Sequence, residues 1–348
     1  MNEALDLTVN EERNTKIFTQ TRDLPISIIK EMIDEGDIIP QPTYQREYVI
    51  DYRRASKLIE SLLIQFPIPP IYLCEEDDGR MSVIDGQQRI NAIVRFLNNR
   101  FALSGLEELN SINGKYFKDL DKSIQGTLKA TTLNSIVILK ASHELKYELL
   151  ERLNQGSIDL RPQEIRDYIY GGTFNDMLDE LARNPLLKIL YRDENKRKNY
   201  QEYILRFFAL RNVEDYKSSL KKTFNDYMSN HQNISKEEIQ SYKENFTSTM
   251  DTIMHVLGDQ AFCAYDIIHD EWVNTFSGSV YDSIVGAFVR FDSHDLMLYA
   301  EKIRIAIEKV KKNNKQYYNF IYAFTGYKDR IIGINEIIYQ AIVEIIGK

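Results

Sequence analysis

Apolar residues alternate between short strand-like runs and helical stripes in the first half of this chain, and fall almost wholly into helical stripes in the second. Asp23-Leu24-Pro25 predicts a helix through Glu35, with Asp as cap and Pro in the first turn. Arg53 to Phe66 carries Leu58, Ile59, Leu62, Leu63 and Phe66 at helical spacing and stops at Pro67. The run Pro67 to Cys74 reads as a stiff approach to a strand. Asp77-Asp78-Gly79 is a turn, and Met81 to Ile84 is a second short strand, so the two strands form a hairpin-like pair. A helix follows from Gln87 to Asn99, with Ile90, Ile93, Val94 and Leu97 on one face. Next come a strand from Ser135 to Lys140, a helix from about Glu144 to Leu153, a break at Asn154-Gln155-Gly156 and a helix opened by Arg161-Pro162. Further helices are predicted near Tyr200–Asn212, Ser235–Leu257, Ser279–Phe291, Asp295–Lys312 and Ile334–Ile346. The change of pattern divides the chain into residues 1–195, mixed, and 196–348, helical.

Composition narrows the class. The 348 residues exceed what one core usually organises, and 43% are apolar, enough for ordinary cores. No stretch of about 18 apolar residues suggests a membrane span, and the N-terminus lacks the basic-then-apolar order of a signal peptide, so a cytoplasmic location and no membrane partner are expected. Cys74 and Cys263 stand far apart and read as reduced core thiols, and the five histidines are scattered, so no disulfide framework or zinc site is predicted. The net charge of −8 argues against non-specific coating of nucleic acid.

Candidate chemistry gathers at Asp85-Gly86-Gln87-Gln88-Arg89, between a strand and a helix. The helix start presents backbone N–H groups and a positive dipole end, Gly86 lets a ligand approach, and Arg89 can reach back with a bidentate guanidinium. The competing reading is a capping box, with Asp85 as cap and Gln88 returning the bond. Thr43 to Tyr48 adds Gln45, Arg46 and two phenols in an irregular stretch, or equally a surface loop. Glu151 to Gly156 reads as a helix C-terminus.

Together these segments resemble the ParB and sulfiredoxin-like superfamily, and within it the family forming the N-terminal domain of GmrSD-type restriction enzymes. The resemblance rests on Tyr44-Gln45-Arg46, the helix from Arg53 to Gln65, Ile68-Pro69-Pro70-Ile71-Tyr72-Leu73, Val83 to Arg89, Glu151-Arg152-Leu153-Asn154 with Gly156, and Pro162 with Glu164-Ile165-Arg166. It covers about the first half of the chain. It implies an α+β fold for the first domain, with a small mixed sheet and flanking helices; the apolar pattern makes the second domain all-helical.

It also implies a nucleoside triphosphate, its phosphates held by Gly86, Gln87, Gln88 and Arg89, with Gln45 and Arg46 lining the pocket. Mg²⁺ would rest on Asn154 and Asp85, and Asp85 and Arg46 would serve any hydrolysis. The metal-contacting acid of the ParB-like pattern is Leu153 here, and one phosphate arginine is Gln88, so the resemblance implies binding more firmly than turnover. No cysteine occupies the turn, which excludes sulfiredoxin chemistry. No His-x-x-Pro or His-Asn-His grouping and no phosphate-binding Gly-Lys-Ser/Thr loop occurs, Gly114-Lys115 having the wrong neighbours. Glu144 and Lys146 read as a helix-surface ion pair.

The expected role is a nucleotide-binding regulatory or sensor protein of a bacterial anti-phage or restriction system. Its expected partners are a separate nuclease or effector subunit, phage DNA and further copies of the chain. The alternative is a DNA-binding or protein-interaction module without turnover, using basic residues collected between Arg192 and Lys222. Glu194, Glu202, Glu214 and Asp215 dilute that charge, which favours an ordinary solvated face. The aromatics from Tyr317 to Tyr322 are assigned to a core rather than to base stacking.

Overall fold

A computed structural model describes residues 17–39, 51–139, 141–153, 160–211, 216–323 and 328–347. The chain divides into two compact units, Met1–Asp159 and Leu160–Lys348.

The first unit is α+β. Its strands are β1 (Phe18–Pro25), β2 (Ile38–Ile39), β3 (Ile71–Glu75), β4 (Met81–Asp85) and β5 (Thr132–Leu139). They form one mixed sheet in the order β1-β5-β3-β4-β2. β1 pairs antiparallel to β5, β5 parallel to β3, β3 antiparallel to β4, and β4 parallel to β2. The central strands carry the buried residues Ile71, Leu73, Val83, Leu133 and Val137, as strands flanked on both sides require.

The helices are α1 (Ile26–Glu35), α2 (Tyr52–Leu63), α3 (Gln87–Leu97), α4 (Lys122–Ala130) and α5 (His143–Leu153). Ile59 and Leu62 of α2 join Ile90, Ile93 and Phe96 of α3 in the core beneath the sheet residues. Asp51 starts α2 by accepting from the N–H groups of Arg53 (3.1 Å) and Arg54 (3.2 Å). α2 ends earlier than its apolar spacing predicts. Gln65 takes a left-handed φ of 57° ahead of Pro67, which leaves Phe66 exposed.

Glu60 of α2 is buried and accepts from three successive backbone N–H groups, Glu107 at 3.0 Å and Glu108 and Leu109 at 2.8 Å. Burial alone would raise this carboxyl. The N–H groups of Leu109, Glu108 and Glu107 outweigh it and hold the group below its ordinary value, so Glu60 anchors that loop as a carboxylate.

Two elements differ from expectation here. The segment before Pro25 is strand β1, and Asp23 accepts from Asn134 across the ladder rather than capping a helix; Pro25 itself precedes α1 without a side-chain cap. Lys146 lies buried and pairs with Glu76 at 2.6 Å, where a surface pair along α5 was expected.

The second unit is mainly helical, with one correction: Cys263–Asp266 and Glu271–Phe276 form an antiparallel hairpin, β6 and β7. The predicted helix from Asp295 to Lys312 is two, Ser293–Leu298 and Ala300–Asn313, meeting at Tyr299. Tyr317 is buried and hydrogen-bonds Ser283 at 2.7 Å, as a core residue should, whereas Tyr322 is exposed. Both cysteines are buried free thiols.

Asp167, on the helix Pro162–Ile169, is 2% exposed and accepts from Asn175 (2.8 Å) and Lys198 (3.2 Å) through one oxygen. Burial pushes its carboxyl up to about 6, against the pull of Lys198. The folded chain therefore binds this proton more tightly than the unfolded one, where the ordinary 3.8 applies. Stability from this group rises as pH falls from about 6 towards about 4, and the full cost of the buried charge, on the order of 2–3 kcal/mol, is felt above that window. Urea melts of Asp167→Asn are expected to lose this part of the pH profile. A variant profile as steep as the parent's would contradict the assignment.

Candidate phosphate-binding turn

β4 delivers its last residue, Asp85, to a sharp turn through an irregularity. Tyr72 of β3 faces Asp85 while Leu73 faces Val83, so Ile84 is the extra residue of a bulge. Gly86 follows with a left-handed φ of 96°, and α3 begins at Gln87. Glycine is required twice over. The φ suits a residue without Cβ, and a Cβ there would stand 2.5 Å from Ile71 Cγ2 and 3.2 Å from Arg89 Nη2.

No side chain caps α3. The first intrahelical bond runs from Ile90 N–H to the Gly86 carbonyl (3.0 Å), so the amides of Gln88 and Arg89 precede the ladder and point off the helix end. The capping box of the competing reading, between Asp85 and Gln88, is not formed. Gly86, not Asp85, is the N-cap residue, and the Asp85 carboxylate turns to Arg89, whose Nη2 donates to Oδ2 at 2.7 Å. Arg89 Nη1 donates to the Pro69 carbonyl, so the guanidinium folds back beside Gly86 and is 19% exposed. Gln87 donates to Asn91 at 3.2 Å, and Gln88 is exposed.

The turn thus assembles Asp85, Gly86, Gln87, Gln88 and Arg89 on one short stretch. Gln45, Arg46 and Asn154 lie outside the described residues. Sequence reasoning missed Pro69 and Ile71, which fix Arg89 and Gly86 respectively. A signal existed: a proline-rich approach such as Pro67-Ile68-Pro69-Pro70 is short of N–H groups, so its carbonyls stand out of any regular ladder and take side-chain donors.

Other candidate chemistry resolves into structure. In the basic stretch, Arg192 pairs with Asp259, Arg197 with Glu164, Lys198 with Asp167 and Asp179, and Arg206 with Asp282. Those cations hold the second unit together instead of presenting a free basic face. A concavity of 730 Å³ in that unit is lined by Lys243, Asp251, His255, Ser293 and Met297 among others, and contains none of the expected site residues. Among the described residues, no three His, Cys, Asp or Glu side chains gather to hold a metal, and no helix is long and apolar enough to cross a membrane.

Comparison with known proteins adds one match. Residues 29–170 fit the model of the GmrSD restriction endonuclease, N-terminal domain, a span that contains α2, the β3–β4 hairpin, the turn and α3. No curated protein matches the chain. By this match, residues 29–170 of the chain are similar to the GmrSD restriction endonuclease N-terminal domain, the family expected from the motifs.

Proposed function

We infer that this protein is a nucleotide-binding component of a restriction or anti-phage system, with the phosphates seated on the turn from Gly86 to Arg89. The observation that carries this reading is the uncapped N-terminus of α3 with the Arg89 guanidinium folded back over Gly86. Outward-pointing amides, a positive helix end and an arginine fork form an arrangement that suits an anion with several oxygens. The family match supports the restriction context, and likeness to the ParB and sulfiredoxin-like superfamily belongs to the same reading.

Gln45 and Arg46 would contact the rest of the nucleotide, and Asn154 with Asp85 would share Mg²⁺ with the phosphates. Binding is the primary activity in this account. For hydrolysis, Asp85 and Arg46 would serve together, a bound Mg²⁺ would supply charge stabilisation to the phosphates, and DNA cleavage would fall to a separate nuclease subunit, with phage DNA as the sensed partner. The DNA-binding alternative loses support from the internal pairing of Arg192, Arg197, Lys198 and Arg206.

A panel of nucleoside triphosphates, scored for thermal stabilisation and phosphate release with and without Mg²⁺, tests the reading. At least one triphosphate is expected to raise the melting temperature, by the linkage of binding to folding. A panel without any stabilisation would remove nucleotide binding as the function.

A further inference from the structure

The Asp85–Arg89 contact poses a physical problem for the reading above. A guanidinium meant for phosphate is already neutralised by a carboxylate 2.7 Å away, at a site with 19% of the arginine and 34% of the aspartate side chain exposed. That carboxylate caps no helix, although a helix end lies one residue further on. We propose that Asp85 is an exchangeable partner: it occupies Arg89 until a phosphate displaces it, and the freed carboxylate then takes a divalent cation bridged to that phosphate. The proposal rests on phosphate binding at this turn and adds the order of events to it.

The geometry permits the exchange with little movement. Arg89 Nη1 stays tethered to the Pro69 carbonyl, so only the Nη2 edge has to change partner. Asp85 is the last residue of β4, in register with Tyr72 beside the bulge, and the ladder is made by backbone groups, so its side chain turns without loss of strand pairing. Charge favours the sequence of steps. Phosphate and the Asp85 carboxylate repel one another at this distance once they no longer share the guanidinium, and a hard divalent cation between them converts that repulsion into two attractions. The same cation has little reason to bind earlier, because Asp85 is then paired with Arg89 and, among the described residues, no three acidic, imidazole or thiol side chains gather to hold a metal.

Pyrophosphate is a suitable probe, titrated by calorimetry into the full chain with and without Mg²⁺. Without Mg²⁺, Asp85→Asn is expected to bind it about tenfold more tightly than the parent, since the competing carboxylate is gone. With Mg²⁺, the parent is expected to gain affinity and Asp85→Asn to gain none. Asp77→Asn, which removes an exposed carboxylate from the β3–β4 turn, is expected to alter neither result, which separates exchange from a general effect of charge. In the parent, Mg²⁺ alone should leave the melting temperature unchanged, a measurement that stands even if Asp85→Asn folds poorly. Exchange is overturned if the parent binds pyrophosphate and Asp85→Asn binds it no tighter, if the variant keeps the full Mg²⁺ gain, or if Mg²⁺ alone stabilises the parent. Failure of both proteins to bind pyrophosphate under either condition would instead overturn the phosphate site itself.

Discussion

Gly86→Ala is expected to destabilise the first unit by about 2–5 kcal/mol, a large effect for the addition of one methyl group. Two costs add. A φ of 96° is unfavourable for any residue with a Cβ, and the new methyl would overlap Ile71 Cγ2 at 2.5 Å. Ile71 cannot easily retreat, because it is fully buried at the start of β3 and in register with Ser135 of β5. The alternative relaxations, a shift of α3 or of the bulge, would move Arg89 away from the Pro69 carbonyl. Urea denaturation measures the loss directly. Combining Gly86→Ala with Ile71→Ala should cost less than the two single losses together, since the second substitution removes the overlapping methyl. A single variant within about 1 kcal/mol of the parent would show that the turn is looser than described.

Asp282→Ala is expected to cost about 3 kcal/mol in the second unit. Asp282 is buried and grips Arg206 with both oxygens, Nη2 donating to Oδ2 at 2.7 Å and Nε to Oδ1. Removing the carboxylate strands a guanidinium whose side chain is only 13% exposed, with the Phe224 ring 5.9 Å from it as a poor substitute. The figure stands at the low end for broken buried pairs because that residual exposure lets some water reach the charge. Replacing both partners, Asp282→Leu with Arg206→Met, should recover most of the loss, as an apolar pair of similar volume leaves no buried charge. Denaturation midpoints of the single and double variants decide this. A single variant as stable as the parent would mean that Arg206 finds another acceptor.

The sequence was informative where one face of an element is buried and silent where burial is weak. α3 and the β3–β4 hairpin appear almost at their predicted bounds, because Ile90, Ile93 and Leu97 mark a helical face and Val83 a buried strand. β1 was missed because it is an edge strand, and its residues Phe18 to Gln20 face solvent without an apolar alternation. The β6–β7 hairpin escaped for a similar reason, since most of β7 is exposed or half-buried. At the site, the pentapeptide from Asp85 to Arg89 was legible as a unit, but its wiring was not. A local capping rule offered Gln88 as one partner for Asp85, whereas the arginine four residues on takes the carboxylate. Long-range partners such as Pro69 and Ile71 leave no periodic mark near the motif. Only the fold brings them to Gly86 and Arg89.

The central claim is that phosphates bind at the Gly86–Arg89 turn. Its most direct test is calorimetric titration of the best-stabilising nucleoside triphosphate into the parent and into Arg89→Ala. Arg89 is partly exposed and its two bonds tie down a turn already shaped by Gly86, so the variant is expected to stay folded, with a melting curve close to the parent's. The account predicts that binding seen in the parent is abolished in folded Arg89→Ala; unchanged affinity in that variant would contradict it.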